Sequence, residues 1–360
     1  MTLAVDTNAT ATARPAWLAA FAHRDSAIVG PVADFLCIYG APPLALLTIW
    51  AFALLPGPQT ADGFSTATVA LGFLVSAISS AHLAPVFVRS HLNPTIFAAH
   101  RWKLSLAPPA LLLALCVSHW AFIVAGVLSI FWDVYHTAQQ NFGLARIYDA
   151  KAGAASTTSR ALDRIFSHVM YIGPIMAGAS FAEHLRALHA LKDVGFAAMT
   201  ALPQAAEGNA ALVRVIAIAT MAVACVVYVV AQWRVAQTGA SVSPHKVALL
   251  TTTVVVQILA WGFSPPAIAF MVVNLYHAVQ YFGLVWRQEG ARAPAHLGIG
   301  KGALARPLAL ALVFVLPALY GLSESATAHK WNVLTAVFLS VTLLHFWMDG
   351  FIWSVRKKTV

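Results

Sequence analysis

Two segments of the 360-residue chain repeat one polar pattern inside apolar sequence. The first is Asp133-Val134-Tyr135-His136-Thr137-Ala138-Gln139, followed by Gln140-Asn141-Phe142-Gly143-Leu144. The second is Asn274-Leu275-Tyr276-His277-Ala278-Val279-Gln280, followed by Tyr281-Phe282-Gly283-Leu284. Both read Asp/Asn-x-Tyr-His-x-x-Gln and then an aromatic, Gly and Leu, with one residue fewer before the second Phe-Gly-Leu. Arg146 and Arg287 follow their histidines by the same ten positions. On a helix, positions i−3, i and i+3 share roughly one face. Each copy therefore offers a carboxylate or carboxamide, an imidazole and a carboxamide together. Inside a bilayer such a face must turn to the bundle interior or to a wet cavity. The match reads as an ancient duplication or a shared structural demand.

Three more histidines are expected at similar depth, each in the cytoplasmic half of its span. His82 precedes Arg89, His345 precedes Arg356, and His168 follows Arg164. For His82, His136, His277 and His345 the next basic residue comes seven to eleven positions later, roughly 10–16 Å of helix at ~1.5 Å per residue. Imidazoles at one depth on different helices can converge, and imidazole suits iron, copper and zinc. The expected metal ligands are His82, His136, His277, His345 and His168. Asp133, Asn274 and Asp349 are of the type that orients such ligands from behind. Gln139, Gln280, Tyr135 and Tyr276 are the candidate catalytic residues, the glutamines being suited to hydrogen-bond bound oxygen. A helix–helix hydrogen bond is the ordinary alternative for any one membrane histidine.

The elements that carry these residues follow from composition. Sixty per cent of residues are hydrophobic and 10% are charged, against about 25% charged in soluble domains. Mean hydropathy is +0.75. The apolar runs are continuous, without the alternation of a barrel strand, so spanning helices are expected. At about 20 residues per span, ten candidates emerge: roughly 31–55, 64–88, 104–119, 120–145, 161–183, 209–232, 246–263, 265–287, 305–323 and 331–354. The split near Ser118–His119 is forced by length alone. With both termini on one face, that face receives eighteen of the 22 Lys and Arg residues, leaving Arg186, Lys192, Lys330 and Arg214 elsewhere. The positive-inside rule makes that face cytoplasmic. The expectation is an all-α, polytopic transmembrane bundle of about ten spans with both termini cytoplasmic. A polar tail (1–30) precedes a single membrane domain (31–354), which has an extracytoplasmic segment at 184–208. A basic tail (355–360) ends the chain, and the setting is a bacterial inner (plasma) membrane.

The net charge of +9 belongs to this topology. No basic stripe with interleaved aromatics suggests nucleic acid. Cys37, Cys116 and Cys225 sit in apolar runs and form no CxxC pair, so no disulfide framework is expected. There is no Ser/His/Asp elbow, Walker loop or GxGxxG. The clustered HxxxH and HxxHH boxes of membrane desaturases are also absent.

The stretch FSPPAIAFMVVNLYHAVQYFGLVWRQ (263–288) resembles a segment of the Brp/Blh-type β-carotene dioxygenases. HFWMDGFIW (345–353) is similar to that family's last histidine helix. YHTAQQNFG (135–143) and AHLAP (81–85) resemble two further histidine segments. The resemblance implies a multi-helix membrane oxygenase that binds non-haem iron through His82, His136, His277 and His345. Its substrate would be a carotenoid or another apolar lipid arriving from the bilayer. Dioxygen would be a partner, and an electron donor a possible one. Departures from the family's Pro-His-Gly and His-rich patterns leave the substrate and the metal open, so another transition metal is an alternative to iron. Two other readings stand beside it. One is a transporter or proton-coupled carrier with a duplicated midplane site. The other is a haem-binding electron carrier.

Overall fold

The computed structural model describes residues 21–353, apart from residues 22, 56–57, 60–62, 155–156, 179, 239–240, 301 and 328–329. Most of the N-terminal tail and the whole basic C-terminal tail, with Arg14, Arg356, Lys357 and Lys358, lie outside the described residues. Every named element is helical. The chain begins with α1 (Pro31–Cys37), α2 (Ala41–Ala53), α3 (Thr66–Ala81), α4 (Pro85–His91), α5 (Pro94–Val117) and α6 (His119–Lys151). It continues with α7 (Thr157–Ala177), α8 (Ser180–Arg186), α9 (Ala201–Gly208), α10 (Ala210–Gln237), α11 (Pro244–Phe263) and α12 (Pro266–Glu289). It ends with α13 (Arg292–His296), α14 (Ala305–Leu310), α15 (Leu316–Ser325) and α16 (Val333–Ile352).

Among the described residues, seven helical stretches are long and apolar enough to cross a membrane: Thr66–His91, α6, α10, α11, α12, Ala305–Ser325 and α16. Two bent pairs raise the number to nine: α1 with α2, at 44°, and Ser159–Ala177 with Ser180–Val194. The chain is thus a multi-pass membrane protein. The ten expected spans differ from this count at α5, which stands where a span was expected at 104–119. Its first turns carry His100, Arg101 and Lys103, and His100 leaves helical geometry at φ −130°, ψ 19°. Only 104–117 is apolar, roughly 21 Å at ~1.5 Å per residue, short of a ~30 Å hydrocarbon core.

Local chemistry sets the joints. Ser118 is extended (φ −125°, ψ 105°), and its hydroxyl accepts the Ala121 N–H at 3.1 Å, so one helix ends there and the next is capped. α11 stops at Phe263, and Pro265–Pro266 opens α12, where proline's missing N–H costs nothing. A π-turn at Ala311–Val315 joins α14 to α15 just ahead of Pro317, which cannot complete the regular ladder. Segment 184–208 holds short helical turns, Ala187–Val194 and Ala197–Thr200, followed by α9.

α12 is the hub. Two thirds of its apolar window (67%) is buried, against 6% for the peripheral α10. It packs on α2, α3, α4 and α11, and α16 packs on α4, α5 and α6. Gly321 allows α15 to meet α3: a Cβ there would stand 2.0 Å from the Ala77 carbonyl oxygen. Such close approach through small residues is how helices pack where apolar burial gives no preference over lipid.

Three cations assigned to topology in the sequence are in fact buried and paired. Arg89 donates to Glu289 at 2.5 Å, both side chains being fully buried. Arg146 pairs with Asp149 (2.8 Å) and Asp163 (3.2 Å), and Lys246 with the same two acids (3.0 and 3.4 Å). Asp34 accepts the Ile28 and Val29 N–H groups and the Tyr148 hydroxyl at 2.6–2.7 Å. These pairs tie α4 to α12, α6 to α7 and α11, and α1 to α6. Removing one partner of a buried pair leaves an uncompensated charge and costs ~3–5 kcal/mol. Glu289→Gln is therefore expected to lower the unfolding midpoint of the detergent-purified protein. Replacing both partners, Arg89→Met with Glu289→Leu, is expected to recover much of the loss. An unchanged midpoint in Glu289→Gln would contradict a structural role for the pair.

Candidate metal centre

Four helices each deliver one imidazole to a single buried point. His82 caps the C-terminal end of α3, His136 lies in α6, His277 in α12 and His345 in α16. All four are buried. One ring nitrogen from each can be chosen so that the four lie within 4.8 Å of one another, a group that could hold a metal ion. The rings meet edge to face. Their centroids are 4.8 Å apart for His82–His277, 5.0 Å for His82–His345, 5.2 Å for His136–His277 and 4.9 Å for His136–His345.

Backbone carbonyls aim two of the rings. His82 Nδ1 bonds the Ser79 carbonyl, and His345 Nδ1 bonds that of Leu83 at 3.2 Å. A neutral imidazole that donates from Nδ1 keeps a lone pair on Nε2, which is the state a metal ligand needs. His345 Nε2 then faces His136 Nε2 at 3.2 Å. Two lone pairs at that distance repel unless a proton or a cation lies between them. Among the described residues, His82 Nε2 and both nitrogens of His277 have no hydrogen-bond partner. Buried polar atoms without partners cost free energy, and a shared cation would satisfy His82 Nε2 and one nitrogen of His277 at once. The donor set, four neutral imidazoles, is one that iron, zinc or copper accepts.

The remaining sequence candidates are placed differently. His168, expected as a fifth ligand, is outside the group. Its Nδ1 bonds the Arg164 carbonyl (2.7 Å), and its Nε2 lies 3.2 Å from Gln139 Nε2. α7 packs against another side of α6, so equal depth did not mean a common direction. Gln139 bonds the Tyr135 hydroxyl at 2.8 Å, and Tyr135 is exposed. The extra residue of the first repeat, Gln140, takes the inward place instead. Its Nε2 donates to the His277 carbonyl (3.1 Å) and to Gln280 Oε1 (3.3 Å). Gln280 Nε2 donates to the Ile38 carbonyl at 2.8 Å, so its amide joins helices rather than offering a donor to the site. The Tyr276 hydroxyl accepts from Gln257 at 2.6 Å in a separate polar nest.

Neither motif acid nor amide backs its own histidine. Asn274 accepts from the Ser79 hydroxyl at 3.2 Å, on the turn whose carbonyl orients His82. Asp133 interacts with Tyr171, and among the described residues no side-chain hydrogen bond joins it to His136. Asp349 differs from the expected position behind the rings: its Oδ2 lies on the Nε2 side, 3.5 Å from His345 and 3.9 Å from His136. Its other oxygen accepts from the Tyr281 hydroxyl (3.1 Å) and Trp353 Nε1 (2.9 Å). Trp353 stacks in turn under Arg89, whose guanidinium carbon is 3.8 Å from the ring centroid. Trp353 and Glu289 were not singled out from the sequence, and Tyr281 and Arg89 entered it only as a repeat aromatic and a topological charge. The signal available was spacing by four: His277 with Tyr281, and His345 with Asp349 and Trp353, share helix faces.

Phe346 covers His136, with centroids 4.7 Å apart, and Trp132 packs on Phe346 at 6.1 Å. An aromatic wall therefore runs outward from the histidines between α6 and α16.

His277→Ala and His82→Ala, each checked for monodispersity, are expected to lose bound metal in elemental analysis of the purified protein. His168→Ala is expected to keep it. Equal metal content in all three would show that these rings do not share an ion. No family model, no curated protein and no solved structure matches the chain.

Proposed function

We infer that this chain is an integral membrane metal-dependent oxygenase, with non-haem iron, that acts on an apolar lipid or an isoprenoid or carotenoid-like molecule. One observation carries the reading: four imidazoles from four helices converge, each offering one ring nitrogen, and His82 Nε2 and the His277 ring have no other hydrogen-bond partner among the described residues. Iron in such a site supplies dioxygen activation when bound. The protein's own contribution is geometric. Carbonyls of Ser79 and Leu83 fix two rings, and the surrounding helices keep water from the centre. Phe346 and Trp132 give an apolar molecule a surface to lie on beside His136. The resemblance of residues 263–288 and 345–353 to β-carotene dioxygenases points the same way.

The topology that goes with this reading has ten crossings and cytoplasmic termini. The seven apolar stretches and the two bent pairs account for nine candidate crossings; the tenth would be α5, whose short apolar part requires local thinning of the bilayer, and the Lys/Arg distribution favours that orientation. A haem reading fits the packing poorly. A porphyrin must extend on all sides between its two axial imidazoles, where the other two histidines stand.

Iron-loaded protein in lipid nanodiscs is expected to consume dioxygen when supplied with carotenoid or unsaturated lipid, and to yield an oxygenated product by mass spectrometry. His136→Ala is expected to abolish both signals. Full uptake by metal-free protein, or substrate flux across proteoliposomes without chemical change, would overturn the oxygenase reading.

A further inference from the structure

The four histidines leave an electrostatic problem. Neutral imidazoles bring no charge, so a divalent ion among them would leave two positive charges buried in a low-dielectric bundle. An ion is tolerated in such a place when an anion enters its coordination sphere. Asp349 is the carboxylate at hand. It sits one helical turn after His345 on the same face of α16.

Its distances match those of a ligand. Ligands bound at about 2.0–2.2 Å to a common ion are separated by about 3.0 Å when at right angles and by about 4.2 Å when opposite. His136 Nε2, His345 Nε2 and Asp349 Oδ2 are separated pairwise by 3.2, 3.5 and 3.9 Å. All three spacings fall inside that window, whereas the full histidine group spreads to 4.8 Å. Its other oxygen is held independently by Tyr281 and Trp353. The carboxylate is thereby oriented with one oxygen anchored and the other presented to the histidines. Two imidazoles and one carboxylate are the donor set by which non-haem Fe(II) oxygenases hold iron while leaving positions open.

The geometry points to Asp349 as a direct metal ligand through Oδ2, forming with His136 and His345 the tight part of the centre. His82 and His277 complete it from the opposite helices. Tyr281 and Trp353 are positioning residues that fix the carboxylate through Oδ1. The assignment rests on the metal-site reading above and selects a divalent ion such as Fe(II) over a soft monovalent one.

Cobalt(II) is the probe, because its visible absorption reports coordination number and ligand type. The full-length protein, purified metal-free in detergent, is titrated with Co(II) alongside Asp349→Asn, Asp349→Cys and Tyr281→Phe. Asp349→Asn is expected to change the visible spectrum and to weaken binding more than a hundredfold. Asp349→Cys is expected to gain a sulfur-to-cobalt charge-transfer band, a signal that only a coordinated thiolate produces. Tyr281→Phe is expected to weaken binding about 10–100-fold with a smaller spectral change. An Asp349→Asn protein with wild-type affinity and spectrum, or an Asp349→Cys protein that binds Co(II) without the new band, would overturn the assignment. Wild-type protein that binds no Co(II), Fe(II) or Zn(II) would instead remove the underlying metal reading.

Discussion

Hiding imidazole nitrogens from both water and lipid is the constraint on which this bundle depends. A lipid-facing histidine can satisfy at most one ring nitrogen on its own helix, and an interior one must be given a carbonyl, another side chain or an ion. Four helices spend their inward faces on this arrangement. The Ser79 and Leu83 carbonyls satisfy one nitrogen of His82 and one of His345. Among the described residues nothing satisfies His82 Nε2 or the acceptor nitrogen of His277, and a cation would satisfy both. The convergence is therefore costly as a helix-packing device and sensible as a binding site.

The rest of the fold serves to hold those four helices in register. Little hydrophobic force distinguishes one apolar helix contact from another inside lipid, so polar and small residues carry the specificity. Arg89–Glu289 locks α4, which follows His82, to the far end of α12, which carries His277. Arg89 also covers Trp353, on the turn beyond Asp349. Gly321 lets α15 seat against the last turns of α3 next to His82. Around the charged end of α6, Asp149 and Asp163 gather Arg146 and Lys246. Each histidine-bearing helix is thus tied to another by at least one contact that would be lost on sliding or rotation.

The sequence showed depth well and direction poorly. Counting from a histidine to the next basic residue ranks His82, His136, His277 and His345 together, because rise per residue is constant in any helix. Its position four residues after Arg164 admits His168 by the same kind of depth argument, yet its helix lies on another side of α6, and nothing in the spacing reveals that. The repeat placed Gln139 and Gln280 in equivalent positions, yet the single extra residue hands the inward role to Gln140. Span length alone placed the break near Ser118, and proline chemistry marked the turn at Pro265–Pro266, since both are local. Hydropathy counted α5 as an ordinary span although its apolar part is short. Buried ion pairs were the hardest feature to read. Arg89, Arg146 and Lys246 sit near span ends and resemble topological charges, and only their acids, brought from distant sequence, show otherwise.

X-ray absorption at the metal edge of the purified full-length protein tests the shared-ion claim most directly. Multiple scattering from imidazole rings counts the histidines bound to the ion, and the first shell gives their distances. The account predicts several imidazoles, up to four, together with one oxygen donor, at about 2.0–2.2 Å. A protein without stoichiometric metal, or a metal that shows no imidazole scattering, would contradict it.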